Sequence, residues 1–168
     1  MDNGGLFTLK TSVVPHGTTK VDVMYTNDPS VLESTLQMYE HKLLEDIPRF
    51  IGLDLEYTLD QSSNDIIELA MDQHILVYHF CRSPDMQALG EFIQHKGICF
   101  TTVDNMGDSI RLNKDGITIP EHKWIDIQDM INFNGPGKRT GIGDLAAVII
   151  DPSYKNMKNK FPTKSHNH

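Results

Sequence analysis

The chain has 168 residues, 39% of them hydrophobic and 23% charged, with a formal charge of −8. Those proportions suit one soluble globular domain with a sizeable core. The net charge argues against a protein that coats nucleic acid generally, and no apolar run approaches the roughly 18 residues of a membrane-spanning helix.

The N-terminal residues Met1 to Gly5 are neither basic nor apolar enough for a secretory signal. Cys81 and Cys99 sit in separate apolar runs without metal-ligand spacing and read as reduced thiols. The expected compartment is therefore the cytoplasm or nucleus. Charge is uneven along the chain. Residues 138–168 carry six Lys and Arg against Asp144 and Asp151, a balance of +4 on an acidic body. A basic tail of this kind suits either contact with phosphates or simple solvation.

Residues 1–19 carry no periodic pattern and read as an N-terminal segment. Residues 20–26 alternate polar and apolar and predict a strand. Asn27-Asp28-Pro29-Ser30 supplies turn and helix-start chemistry, with Ser30 as N-cap and Glu33 three residues on. Leu32, Leu36, Tyr39, Leu43 and Ile47 then recur at helical spacing over residues 31–46, and Pro48 ends that helix. Residues 49–57, 66–71 and 74–80 predict a three-stranded antiparallel meander, its second turn at Asp72-Gln73. Ser83-Pro84-Asp85 opens a helix with the stripe Met86, Leu89, Phe92 and Ile93. A strand over 98–103, a short helix over 106–112, a strand over 123–127, a loop at Gly135-Pro136-Gly137 and an apolar helix over 142–150 follow. Residues 153–168 have no apolar periodicity and read as a basic, flexible tail. The order predicts an α/β mixed sheet with helices on its faces.

The run Phe50-Ile51-Gly52-Leu53-Asp54-Leu55-Glu56-Tyr57 carries the chemistry. Residues i and i+2 of a strand share a face, so Asp54 and Glu56 project side by side from an apolar strand. Two neighbouring carboxylates repel each other, and a hard divalent cation with oxygen ligands resolves the conflict. The other reading is a turn at Asp54 with both side chains in water. His74 and His79, on one predicted hairpin, read as core or edge histidines rather than ligands. Asp126, in an apolar strand, reads as a structural partner.

With these residues in hand, the chain resembles the ribonuclease-H-like DEDD 3'-5' exonucleases, in particular the RNase D and Werner-exonuclease branch of plant type. The likeness runs over residues 20–152 as one domain. Gly52-Leu53-Asp54-Leu55-Glu56-Tyr57 matches the first motif, an apolar strand ending in D-x-E and an aromatic. Residues 98–103 followed by Gly107-Asp108-Ser109-Ile110-Arg111-Leu112 match the second, with Asp108 at the motif aspartate in preference to Asp104. Gly143-Asp144-Leu145-Ala146-Ala147-Val148 resembles the family's next helix.

The resemblance implies that Asp54, Glu56 and Asp108 hold Mg²⁺ or Mn²⁺ and act in phosphodiester hydrolysis across two ions ~4 Å apart. It implies single-stranded RNA or DNA as the partner, with Arg111, Lys155 and Lys158 meeting its phosphates. The family's third motif, a Tyr or His followed by a final Asp, has no counterpart after residue 150. Tyr154 has Lys158 four residues on, and no Asp or Glu follows Asp151. The expectation is therefore a fold with its C-terminal helix missing and an incomplete site. Such a site binds metal weakly, in one ion only, and gives little or no catalysis. A homo-oligomer, or a hetero-oligomer with an intact relative, would supply what is missing.

Overall fold

The computed structural model describes residues 5–17, 19–43, 49–57, 64–80, 86–95, 97–103, 105–131 and 140–155. These fall in two compact units, Met1–Asp126 and Ile127–His168.

The first unit is built on seven strands: β1 (Thr8–His16), β2 (Thr19–Thr26), β3 (Arg49–Tyr57), β4 (Asn64–Met71), β5 (His74–His79), β6 (Ile98–Thr102) and β7 (Trp124–Asp126). They lie in the order β1-β2-β5-β4-β3-β6-β7. The predicted meander forms, with β3 antiparallel to β4 and β4 antiparallel to β5. On its two sides β2 joins β5 and β6 joins β3 in parallel, and β7 extends β6 in parallel. Mixed direction requires crossovers. They are α1 (Pro29–His41), α2 (Met86–Gln94) and α3 (Asn105–Lys114).

Alternation sorts the sheet residues onto two faces. Ile51, Leu53 and Leu55 of β3 share one face with Ile67, Leu69 and Met71 of β4, Leu76 and Tyr78 of β5, and Ile98 and Phe100 of β6, as the register requires. All are buried, together with Leu32, Leu36 and Tyr39 of α1, Leu89, Phe92 and Ile93 of α2, and Leu112 of α3. This is one core, in which each large side chain contributes roughly 1.5–3 kcal/mol by leaving water. Phe92 lies against both Tyr39 and Phe100, so the two crossover helices and β6 meet in one aromatic cluster.

Polar groups tie the layers. The buried Tyr39 hydroxyl donates to the Leu69 carbonyl at 3.1 Å and lies 2.8 Å from His74 Nδ1. Burial holds that hydroxyl's pKa well above the usual phenol range. Burial, then the Lys42 charge, depresses the pKa of His74. Lys123 is only 5% exposed. Its amine donates to the carbonyls of Ile93 at 2.6 Å and His95 at 2.7 Å, the last turn of α2 and the residue beyond it. A cation there satisfies orphan carbonyls at the negative end of a helix. The β4–β5 turn places Asp72 at φ 54, a left-handed conformation that Asp tolerates. Its carboxylate lies 3.5 Å from Arg49 and 4.0 Å from Lys42.

The second unit's described elements are α4 (Ile127–Met130), α5 (Ile142–Ile149) and a 3₁₀ turn at Pro152–Tyr154. Leu145 is its buried anchor, and Thr140 N–H donates to Gln128. No helix of the described residues is long and apolar enough to cross a membrane.

Four local expectations change. The helix expected over 31–46 runs from Pro29 to His41, with Lys42 as its C-cap. Residues 8–16, given no element from sequence, form the edge strand. The N-cap of α1 is Asp28, not Ser30: Pro29 takes the first turn, and the Asp28 carboxylate accepts from Ser30 N–H at 2.9 Å. The strand expected over 123–127 is three residues long, because Ile127 already opens α4. The Gly135-Pro136-Gly137 loop, the helix start at Ser83-Pro84-Asp85 and residues 156–168 lie outside the described residues.

Candidate active site

β3 presents its two carboxylates as the alternation requires. Asp54 and Glu56 are exposed on the face opposite Leu53 and Leu55. Pairing with β4 adds a third. Glu68 stands directly across from Asp54, so its carboxyl belongs to the same face. Ile66 stands across from Glu56, and His79 of β5 across from Ile66. One pair below the acids, Gly52 faces Ala70, and a Cβ on Gly52 would already be 3.4 Å from the Ala70 methyl. The face therefore has a low floor beside Asp54.

Glu68 is half-buried, and its pKa is raised. The causes are loss of water first, then the negative charges of Asp54 and Glu56. This is the physical signature of an over-acidic patch, and a cation bound there would relieve it. Glu68 was not singled out from sequence. It lies between Ile67 and Leu69 in an apolar run, and only the β3–β4 register shows which acid it opposes. A polar residue inside a hairpin strand was the available signal.

Asp108 lies in the first turn of α3, where a carboxylate complements the helix dipole. Its Oδ2 accepts from Thr102 Oγ1 at 2.5 Å. Thr102 is buried and ends β6, alternating onto the Phe100 face. Asp108 is thus anchored at the end of β6, while Asp54 and Glu56 rise from the opposite face of β3. Arg111 is half-buried one turn along α3. Asp126 is buried at the end of β7. Lys155 is exposed and belongs to the second unit. Lys158 and Asp104 lie outside the described residues.

Asp54, Glu56 and Glu68 are all oxygen donors, a set that suits Mg²⁺ or Mn²⁺ rather than a soft metal. Among the described residues no three His, Cys, Asp or Glu side chains come together closely enough to cage an ion. The donors fit a hard divalent cation carried by carboxylates with water completing the shell, which is how Mg²⁺ is commonly held.

No family model matches the chain, and no curated protein matches it. Solved structures do. E. coli RNase D, described as an exoribonuclease involved in structured RNA processing, is 16% identical and aligns over 84% of this chain and 38% of its own, with a TM-score of 0.65. RNase D of Trypanosoma brucei in complex with RNA is 14% identical over 76% of this chain and 46% of its own, at a TM-score of 0.57. The EXD2 exonuclease domain soaked in Mn and GMP is 17% identical over 77% of this chain and 69% of its own, at a TM-score of 0.51. The fold is that of the DEDD 3'-5' exonucleases. The expected α/β mixed sheet of ribonuclease-H type is present, and the chain spans less than half of either RNase D.

Proposed function

We propose that the chain is a 3'-5' exonuclease-like protein that binds single-stranded nucleic acid and one divalent cation, Mg²⁺ or Mn²⁺, with weak or no hydrolysis of its own. The observation that carries this reading is the acidic face set by the β3–β4 register, Asp54 and Glu56 with Glu68 across from Asp54, on an exonuclease fold. The exonuclease domain soaked with Mn and the RNase D bound to RNA lend support to the choice of cation and partner.

Asp54 and Glu56 hold the ion through carboxylate oxygens. Asp108, held by Thr102 at the end of β6, would act on the ion only through a water. Arg111, Lys155 and Lys158 are the cations proposed to meet phosphates. A bound ion would supply a Lewis acid for a phosphoryl oxygen and a more acidic coordinated water. The proposed low turnover rests on a carboxylate set suited to one ion, where phosphodiester hydrolysis of this kind uses two. A second reading, an active exonuclease completed by a partner chain in a homo- or hetero-oligomer, is favoured by the exonuclease descriptions of the structural neighbours.

The test is incubation of labelled single-stranded RNA and DNA with the purified chain and Mg²⁺ or Mn²⁺, alongside Asp54→Ala with Glu56→Ala. The expected result is salt-sensitive binding with little shortening. Robust 3' shortening that vanishes in the double variant would replace the first reading by the second. Neither binding nor shortening would sink both.

A further inference from the structure

The outer edge of the sheet carries an inference independent of the acidic face. Among the described residues β1 has a strand neighbour on one side only, β2, and all nine of its residues are exposed. The stretch 8–14 of such an edge offers backbone donors and acceptors to a further strand. Its side chains divide into two kinds. Leu9, Thr11 and Val13 pair with Tyr25, Val23 and Val21 and share their face. Leu9 is 59% and Val13 44% exposed. Lys10 and Ser12 occupy the other face, opposite Met24 and Asp22.

We propose that β1 is a homodimer interface, pairing antiparallel with β1 of a second copy about a twofold axis through Thr11. The strand is self-complementary in that register alone. Thr11 faces Thr11, Leu9 faces Val13 of the second copy, and Thr8 faces Val14. The exposed apolar pair thus meets its own mate, and the β-branched Thr11 pair sits at the centre. On the other face Lys10 comes opposite Ser12 of the second copy. That Ser12 already donates to Asp22 at 2.7 Å, so the ammonium arrives beside a carboxylate. Asp22 is exposed, and both its Ser12 contact and its Lys20 contact at 3.2 Å use Oδ1. Lys10 has no ion-pair partner among the described residues.

Neighbouring registers fail on physical grounds. A twofold at Lys10 sets like charges face to face, and one at Ser12 sets Pro15 against Leu9. Lys10 and Pro15 are residues that ordinarily blunt an edge. In the Thr11 register one finds a carboxylate and the other lies beyond the paired stretch. A twofold normal to the sheet keeps the helix-covered faces of both copies on the same side.

Thr11→Cys tests the register directly. Cα atoms across an antiparallel pair are about 4.5–5.5 Å apart, within the span of a disulfide. The variant should therefore form an intermolecular disulfide under mild oxidation. Leu9→Cys should not, because the two copies of residue 9 would be ~14 Å apart. The unsubstituted chain, with its own two cysteines, is the control. Sedimentation over a concentration series should show a reversible dimer. Lys10→Glu should weaken it about tenfold, and Leu9→Lys with Val13→Lys about a hundredfold. These positions are exposed, so circular dichroism should stay unchanged. A chain that stays monomeric at all concentrations with no Thr11→Cys crosslink overturns the proposal. So does equal crosslinking of the Thr11 and Leu9 variants, which would mean an unspecific edge.

Discussion

The two faces of the central sheet are made by the same strands and obey opposite rules. On one, Phe100, Ile51, Leu69 and Leu76 are sealed beneath α1 and α2, where Tyr39 and Lys123 find hydrogen-bond partners while, among the described residues, the buried Trp124 Nε1 and Arg49 Nε do not. On the other, Asp54, Glu56 and Glu68 crowd like charges beside Gly52 and Ala70. The covered face is built for stability. The open face gives stability away to concentrate negative potential at one place, a pattern typical of binding sites rather than cores.

The comparison breaks first where packing is densest. Phe100→Ala should cost about 3–5 kcal/mol in denaturant unfolding, because the cavity touches α2 and β3 together. Phe50→Ala, its near neighbour in register but 59% exposed on the open face, should change stability by no more than about 0.5 kcal/mol. Equal losses would mean that the second face is also packed.

Lys123→Met should cost about 1–3 kcal/mol, since it strands the Ile93 and His95 carbonyls. Amide exchange at the end of α2 should speed up by more than at α1. Thr102→Val keeps the shape of the β6 terminus but removes the bond to Asp108, at about 1–2 kcal/mol. Its sharper readout is cation affinity. If Asp108 contributes to the site, Mn²⁺ binding should weaken about tenfold in this variant.

Glu68→Gln runs the other way. The folded carboxyl titrates above its unfolded value, so the folded state holds more protons between the usual glutamate range and the raised value. Stability should fall as pH rises through that window, and the penalty is complete above it. The Gln variant should flatten this slope and gain up to about 1 kcal/mol at neutral pH. A cation that binds the acidic face should bind the variant less well.

Legibility from sequence followed burial. The meander and the three crossover helices were readable because their apolar residues recur at periods of 2 and 3.6, the imprint of a covered face. The acids at positions 54 and 56 were readable because they interrupt such a run. β1 was not, because a strand exposed on both faces leaves no imprint, and Pro15 looks like loop chemistry. Glu68 and Lys123 escaped for a related reason: each acquires meaning only from a neighbour across a strand pair or at the far end of a helix. Reading Ser30 as the cap missed Asp28, because spacing alone does not say that Pro29 already lies inside the first turn.

The order of the strands also sets a sequence in time. The meander β3-β4-β5 joins residues close along the chain, whereas the β2–β5 and β3–β6 pairings need long crossovers. Local hairpins close before distant parallel pairs. The acidic face should therefore assemble early, with Asp54 meeting Glu68 before the flanking strands dock. The electrostatic conflict becomes a barrier to folding as well as a cost to the folded state. Glu68→Gln should accelerate refolding more than it slows unfolding, and divalent cations in the refolding buffer should do the same for the unsubstituted chain.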